Sequence, residues 1–269
     1  RAALAVLAIV AVAVQMLGNL GMIWSLGVVG LAVTVPIVYA VSLIGGAILG
    51  WAILAERVSL RSAVAIGALI ASITLLNIGA ATSEAETWLR DSRLAWRAIA
   101  ASCLAGLVYA VMSVCIRRTV AKAVPATLVI VIVTAMGTLT LAPLGLWRQG
   151  VEGLRAVQPQ HLVLMLAAGA LNLVAFLSIT KALGIITVVQ ANVLNASQVA
   201  MAAIGGVVFF SERPSTLLVL GVALTVLGIL LIERPAADSV NASQTAKASP
   251  PPLAQELTTH PAAASSDSA

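Results

Sequence analysis

Apolar residues run almost unbroken through eight segments of this chain, at about 2–25, 28–54, 60–80, 97–116, 126–147, 162–182, 184–210 and 216–232, and the polar positions gather between them. The runs are continuous rather than alternating, the pattern of helices that are apolar all round and not of strands with one wet face. Most reach or approach the roughly 18–20 residues that cross about 30 Å of hydrocarbon. A backbone in lipid must satisfy its donors within its own helix or in a closed barrel. The pattern therefore predicts an all-α, polytopic membrane bundle with about eight transmembrane helices.

One stretch of this pattern occurs twice. Ala47-Ile48-Leu49-Gly50, four more apolar residues and Ala55 lead into Glu56-Arg57-Val58-Ser59; Ala203-Ile204-Gly205-Gly206, four more apolar residues and Ser211 lead into Glu212-Arg213-Pro214-Ser215. The offset is 212 minus 56, or 156 residues, and the chain between holds five apolar runs. Five is odd, so if every run crosses the bilayer the two copies lie upside down relative to each other, as two inverted repeats.

Composition agrees. Hydrophobic residues make up 61% of the chain and charged residues 9%, against roughly 45–50% and about 25% in soluble domains, so the lipid bilayer is the expected surrounding. The net charge of +5 does not point to nucleic acid, because the bases sit in short connections rather than along a stripe; orientation in the membrane accounts for them. With a cytoplasmic C-terminus the inner set is Arg1, Arg57, Arg61, Arg117, Arg118, Lys122, Lys181, Arg234 and Lys247; the outer set is Arg90, Arg93, Arg97, Arg148, Arg155 and Arg213. Arg117-Arg118 with Lys122, a connection with no acid, is the sharpest cytoplasmic signal.

Arg1 runs straight into an apolar span with no charged region or cleavage site of a signal peptide before it, and the chain reads as though it begins mid-protein. Residues 83–96 are polar with interspersed Trp88, Leu89, Leu94 and Trp96, which suits a helix lying at the headgroups between the two halves. From Glu233 onward the composition collapses to Ala, Ser, Pro, Thr and Gln, which predicts a disordered cytoplasmic tail over 233–269. The expected organisation is a first repeat over 1–82, an interfacial loop over 83–96 and a second repeat over 97–232.

Little here suggests reaction chemistry. Cys103 and Cys115 fall in one span and, at roughly 1.5 Å per residue, stand about 18 Å apart, beyond disulfide reach. His161 and His260 have no companion ligands, so no metal, no cofactor and no catalytic constellation is expected. No Asp or Glu lies mid-span, where coupled transporters keep proton relays. Glu56 and Glu212 end spans, where each can cap the amides of the next helix and anchor the membrane edge, with Arg57 or Arg213 snorkelling; a role in coupling or gating is the other reading.

Polar residues inside spans are the better candidates. Gln190, Asn192, Asn195 and Gln198 lie in one apolar run, the last three at three-residue steps on one broad helical face. Amides facing lipid are costly, so they belong against other helices or a wet cavity; interhelical hydrogen bonding and lining of a binding site are both open. At the same 156-residue offset Ser42 matches Gln198, and Thr34 and Tyr39 share its run. Gln15, Asn19 and Trp24 come from the run before, and Asn172, Phe176 and Lys181 from the corresponding run later. Gly46 and Gly50 form a GxxxG pair that lets helices approach closely, and Pro36 is a candidate kink.

An apolar helix ending in a Glu-Arg turn with a Ser, followed by a helix with a Gly-rich face, resembles the end of the EamA repeat of the drug/metabolite transporter superfamily. Lys181-Ala182-Leu183-Gly184, Phe209-Phe210-Ser211-Glu212-Arg213-Pro214-Ser215 and the Gly221 to Gly228 helix resemble the later helices of that repeat. Gly106-Leu107-Val108-Tyr109-Ala110, running on to Arg117-Arg118, resembles its opening helix. The resemblance covers about 2–232 and implies ten helices in two five-helix repeats, of which the first two are missing here. The chain departs from the pattern at Leu43 and Val199, where a proline is common, and in the spacing from Glu56 to Gly67, two residues longer than from Glu212 to Gly221. The resemblance implies a non-enzymatic permease of the bacterial cytoplasmic membrane, with a central cavity lined by Gln15, Asn19, Tyr39, Ser42, Tyr109, Asn172, Phe176 and the amides of the seventh run. An amino acid-like or amphiphilic cargo, moved outward by alternating access, suits those side chains. A nucleotide-sugar or sugar-phosphate exchanger and a non-transporting scaffold are the alternatives, and a homodimer is compatible with either.

Overall fold

The computed structural model describes residues 2–56, 58–80, 92–155, 157–210 and 215–232. Arg57, Glu212, Arg213, the polar stretch at 83–91 and the tail at 233–269 therefore lie outside the described residues. Helix α1 (Ala2–Ala13) passes through a π-helical turn at Val14–Asn19 into α2 (Leu20–Val29), and Gly30, at φ 76°, turns the chain into α3 (Leu31–Leu54). There follow α4 (Leu60–Ala80), α5 (Ser92–Ala121), α6 (Ala126–Arg155), α7 (Pro159–Ala182), α8 (Val188–Ala196), α9 (Gln198–Phe210) and α10 (Thr216–Leu231). Six segments among the described residues are long and apolar enough to cross a bilayer: Ala3–Val29, Val33–Leu54, Leu60–Ile78, Arg93–Ala121, Ala126–Arg148 and Pro159–Ala182. The polytopic helical bundle predicted from the hydrophobic pattern is thus the observed architecture.

Three boundaries differ from expectation. The run at 184–210 is not one helix: a turn precedes Val188, and a second break at Ser197 divides α8 from α9. Ser197 Oγ donates to Leu194 O at 2.6 Å, the local side-chain bond by which serine competes with helix continuation. The fourth span starts at Ser92 rather than 97, so Leu94 and Trp96 belong to a helix and not to an interfacial loop. Burial of Ala95 and Ala98 against Val29 accounts for the extra turn. Arg117 and Arg118 lie within the last turns of α5, not in a connection. Pro36 leaves α3 continuous from Leu31 to Leu54.

Small residues set the packing. A Cβ on Gly106 of α5 would fall 2.6 Å from the Val38 carbonyl oxygen of α3, so these helices meet backbone to backbone. Helices α4 and α10 pair in the same way at Gly221 and Gly228, where Ser72 Oγ lies 2.5 Å from Gly221 O and 2.5 Å from Thr225 Oγ1. A buried cluster joins α2, α3 and α5: Ser25 Oγ is 3.1 Å from Thr34 Oγ1, 2.7 Å from Ser102 Oγ and 2.9 Å from Ala98 O. Helix α8 sits between two apolar clusters. Val188 and Ala191 join Leu7, Met112 and Val129, whereas Val189 and Val193 join Leu43, Leu69 and Ile73.

Candidate functional site

Cavity-facing amides need helices that turn them inward, and two irregular segments do this. The π turn at Val14–Asn19 carries Gln15 and Asn19, with Asn19 Nδ2 donating to Gln15 Oε1 at 2.5 Å; such turns recur at functional sites. The break at Ser197 lets Asn192 and Asn195 of α8 and Gln198 of α9 share one cavity despite a discontinuous helix. That cavity has a volume of about 700 Å³. Its wall takes in Gln15, Asn19, Tyr39, Ser42, Tyr109, Asn172, Phe176, Asn192, Asn195 and Gln198, which are ten of the eleven sequence-derived cavity candidates.

Gln190 is the exception. Its side-chain oxygen accepts from Thr187 N at 3.0 Å while Thr187 Oγ1 accepts from Gln190 N at 3.3 Å, a capping box at the start of α8. The amide satisfies otherwise orphaned helix-end donors and does not line the cavity. Trp24 is exposed on the outside of the bundle, Thr34 is buried in the serine cluster, and Lys181 is exposed away from the cavity.

Hydrogen bonds cross the cavity. Tyr109 OH of α5 donates to Asn19 Oδ1 at 2.6 Å, Ser113 Oγ donates to Asn192 Oδ1 at 3.1 Å, and Gln198 Nε2 donates to Tyr39 OH. Asn192 Nδ2 is buried without a hydrogen-bond partner and lies against Gly46. The wall also includes Met22, Met112, Ser113, Val133, Thr134, Thr138, Leu173 and Ile179, which sequence reading passed over. For Ser113 there was a usable signal, since it stands four residues after Tyr109 and so on the same face. Among the described residues, none that lines the wall carries a formal charge.

Glu56 does not cap the helix that follows it. Its Oε2 accepts from Val188 N at 2.9 Å, at the start of α8, and its Oε1 accepts from Arg117 Nε at 3.1 Å. The amides of α4 are met instead by Ser59, whose Oγ accepts from Ser62 N at 3.2 Å. The carboxylate is favoured at α8 because the partial positive charge of a helix N-terminus meets it there.

The model of the EamA-like transporter family matches residues 96–234. One solved crystal structure, described only as that of a protein, is similar at a TM-score of 0.66 over 83% of this chain and 75% of its own, with 19% sequence identity. At that identity the likeness is one of fold. No curated protein matches the chain.

Proposed function

Since the chain belongs to the EamA-like transporter family and is thereby an integral membrane transporter of the drug/metabolite fold, we propose that its cargo is a small organic molecule of zero net charge. That cargo is amino acid-like or amphiphilic and is carried in the cavity between α1–α3 and α5–α9. The observation that carries this reading is the wall itself: amides, hydroxyls, two tyrosines, Phe176 and methionines, with no formal charge among the described residues. Such a wall offers hydrogen bonds to a zwitterion or to a neutral polar group, and apolar surface to the rest of the molecule. Its described residues offer no opposite charge to pair with an ion of net charge. A sugar phosphate or nucleotide sugar would call for inward-facing bases, and the described residues of the wall supply none.

Alternating access, with the repeats rocking about the cavity, is the proposed mechanism. Outward transport across a bacterial cytoplasmic membrane, with the C-terminus in the cytoplasm, completes the reading and rests on family resemblance. The protein is not proposed as an enzyme, in keeping with a family of transporters. The test is a thermal-stability screen of the protein against neutral amino acids, amphiphilic amines, sugar phosphates and nucleotide sugars. A ligand at a hundred times its dissociation constant stabilises by about 2.7 kcal/mol. A shift from a zwitterionic or neutral class, lost in Asn195→Ala, is the expected result; a shift confined to the phosphorylated compounds refutes the reading.

A further inference from the structure

A cavity that serves both membrane faces in turn must be shut at one of them while it is open at the other. On α5 and beyond α7 the cavity wall stops at Ile116 and Leu183. Immediately past these residues lies a set of charged contacts. Arg117 Nε donates to Glu56 Oε1 at 3.1 Å, and Arg117 Nη1 donates to Leu183 O at 2.7 Å. Glu56 Oε2 accepts from Val188 N at 2.9 Å. The turn between α7 and α8 is therefore held at both ends, its first carbonyl by a cation and its exit amide by an anion. Each charge has the sign that the neighbouring helix end attracts.

The pair belongs to elements packed directly against each other. Helices α3 and α5 touch backbone to backbone at Gly106, and their ends bring Glu56 and Arg117 to the same point. The turn reaches α5 through this pair and through Gly184, where a Cβ would fall 2.9 Å from Val120 Cγ1. Release is feasible for these ions. The side chains of Arg117 and Glu56 are 22% and 11% exposed at the end of the spans, so water can replace the partner of each, unlike a pair stranded deep in the bundle.

We infer that Glu56 and Arg117 are the latch that keeps the Arg117 end of the cavity shut, by holding the α7–α8 turn against α3 and α5, and that this turn departs when that end opens. The inference rests on the transport reading, and its test does not need the cargo. Full-length protein with Cys103→Ala, Cys115→Ala and Thr134→Cys, the last placing a thiol in the cavity wall, is reconstituted in vesicles. It is then exposed to a membrane-impermeant maleimide on the Arg117 side, and modification at 134 is read by mass spectrometry.

Adding Glu56→Gln is expected to speed labelling from that side at least ten-fold. In that variant a Val120→Cys, Gly184→Cys disulfide, at positions outside the ion pair, is expected to abolish the gain when oxidised and to return it on reduction. Unchanged labelling in folded Glu56→Gln protein overturns the latch. If that variant fails to reach the membrane, the disulfide in the Glu56 background decides. Residual labelling from the Arg117 side is expected to fall at least ten-fold on oxidation, and equal rates in the oxidised and reduced forms overturn the proposal. Labelling that opens as expected, in a protein that moves none of the neutral or zwitterionic solutes tried, leaves the latch standing and removes the cargo reading instead.

Discussion

Replacing Gly46 by alanine tests the link between the helix seam and the cavity. A Cβ built on Gly46 lies 2.5 Å from Asn192 Nδ2 and 3.4 Å from Val188 Cγ1. Real Cβ contacts essentially never fall below 3.0 Å, so at least 0.5 Å (3.0 minus 2.5) must be found. Asn192 cannot yield it freely, because its Oδ1 accepts from Ser113 at 3.1 Å. Overpacking of this kind costs about 1–3 kcal/mol, partly offset by at most about 1 kcal/mol of gained helix propensity. Asn192→Ala alone gives up the Ser113 bond, about 0.6 kcal/mol in a membrane bundle, and removes a buried amide nitrogen that has no partner. In the double variant the nearest contact left to the new methyl is Val188 Cγ1, at an ordinary 3.4 Å. The expected double-mutant coupling is therefore about 1–3 kcal/mol, with the double variant more stable than Gly46→Ala. Reversible unfolding in detergent, followed by tryptophan fluorescence, measures it. Additivity within about 0.5 kcal/mol refutes the contact as the cause.

Three further outcomes follow from the geometry. Ala55 sits at φ 54°, a left-handed conformation that costs an alanine about 1–2 kcal/mol, so Ala55→Gly is expected to raise the melting temperature; a lower one refutes the strain argument. Gly106→Ala is expected to lose about 1–3 kcal/mol against the Val38 carbonyl, whereas Gly67, with nothing within 4 Å, tolerates alanine without loss. Equal losses in the two melts argue against close helix approach. Gln190→Ala is expected to lower stability by about 1 kcal/mol through the lost cap with cargo preference unchanged, while Gln198→Ala alters cargo preference in flux assays and melts near wild type; the reverse result exchanges their roles.

How much of this was legible in the sequence follows from what each signal measures. Length and continuity of apolar runs report helices in lipid directly, so the bundle was readable. Amides and tyrosines within those runs are costly against lipid, so Asn19, Asn172, Asn192, Asn195 and Gln198 declared themselves as inward-facing before any coordinates. Ser113, Thr134 and Thr138 did not. A hydroxyl can satisfy itself on the carbonyl four residues back, as Ser113 does with Tyr109 O at 3.2 Å and Thr138 with Thr134 O at 3.0 Å, so its presence in a span carries little information on its own. The break at Ser197 was hidden because hydropathy continues across it, and Gln190 was misplaced because a cap and a cavity amide are identical in composition.

The duplicated Glu-Arg turn reads differently once partners are known. A Glu three residues before a Ser at a helix start invites the view that both serve the helix that follows. In the first copy Ser59 alone meets that need through Ser62 N, and in the second Ser215 does the same for α10, accepting from Leu218 N at 3.1 Å. With α4 already capped, Glu56 is not required locally, and its two oxygens go to α5 and to α8, sites 61 and 132 residues away in sequence. In the first copy the serine therefore carries the local task and Glu56 the distant one. A carboxylate whose two hydrogen bonds go to other helices contributes little to forming its own turn and much to how those helices sit together. This separates Glu56 from an ordinary cap and makes the end of α3 the natural place for a change in one part of the bundle to be felt in another.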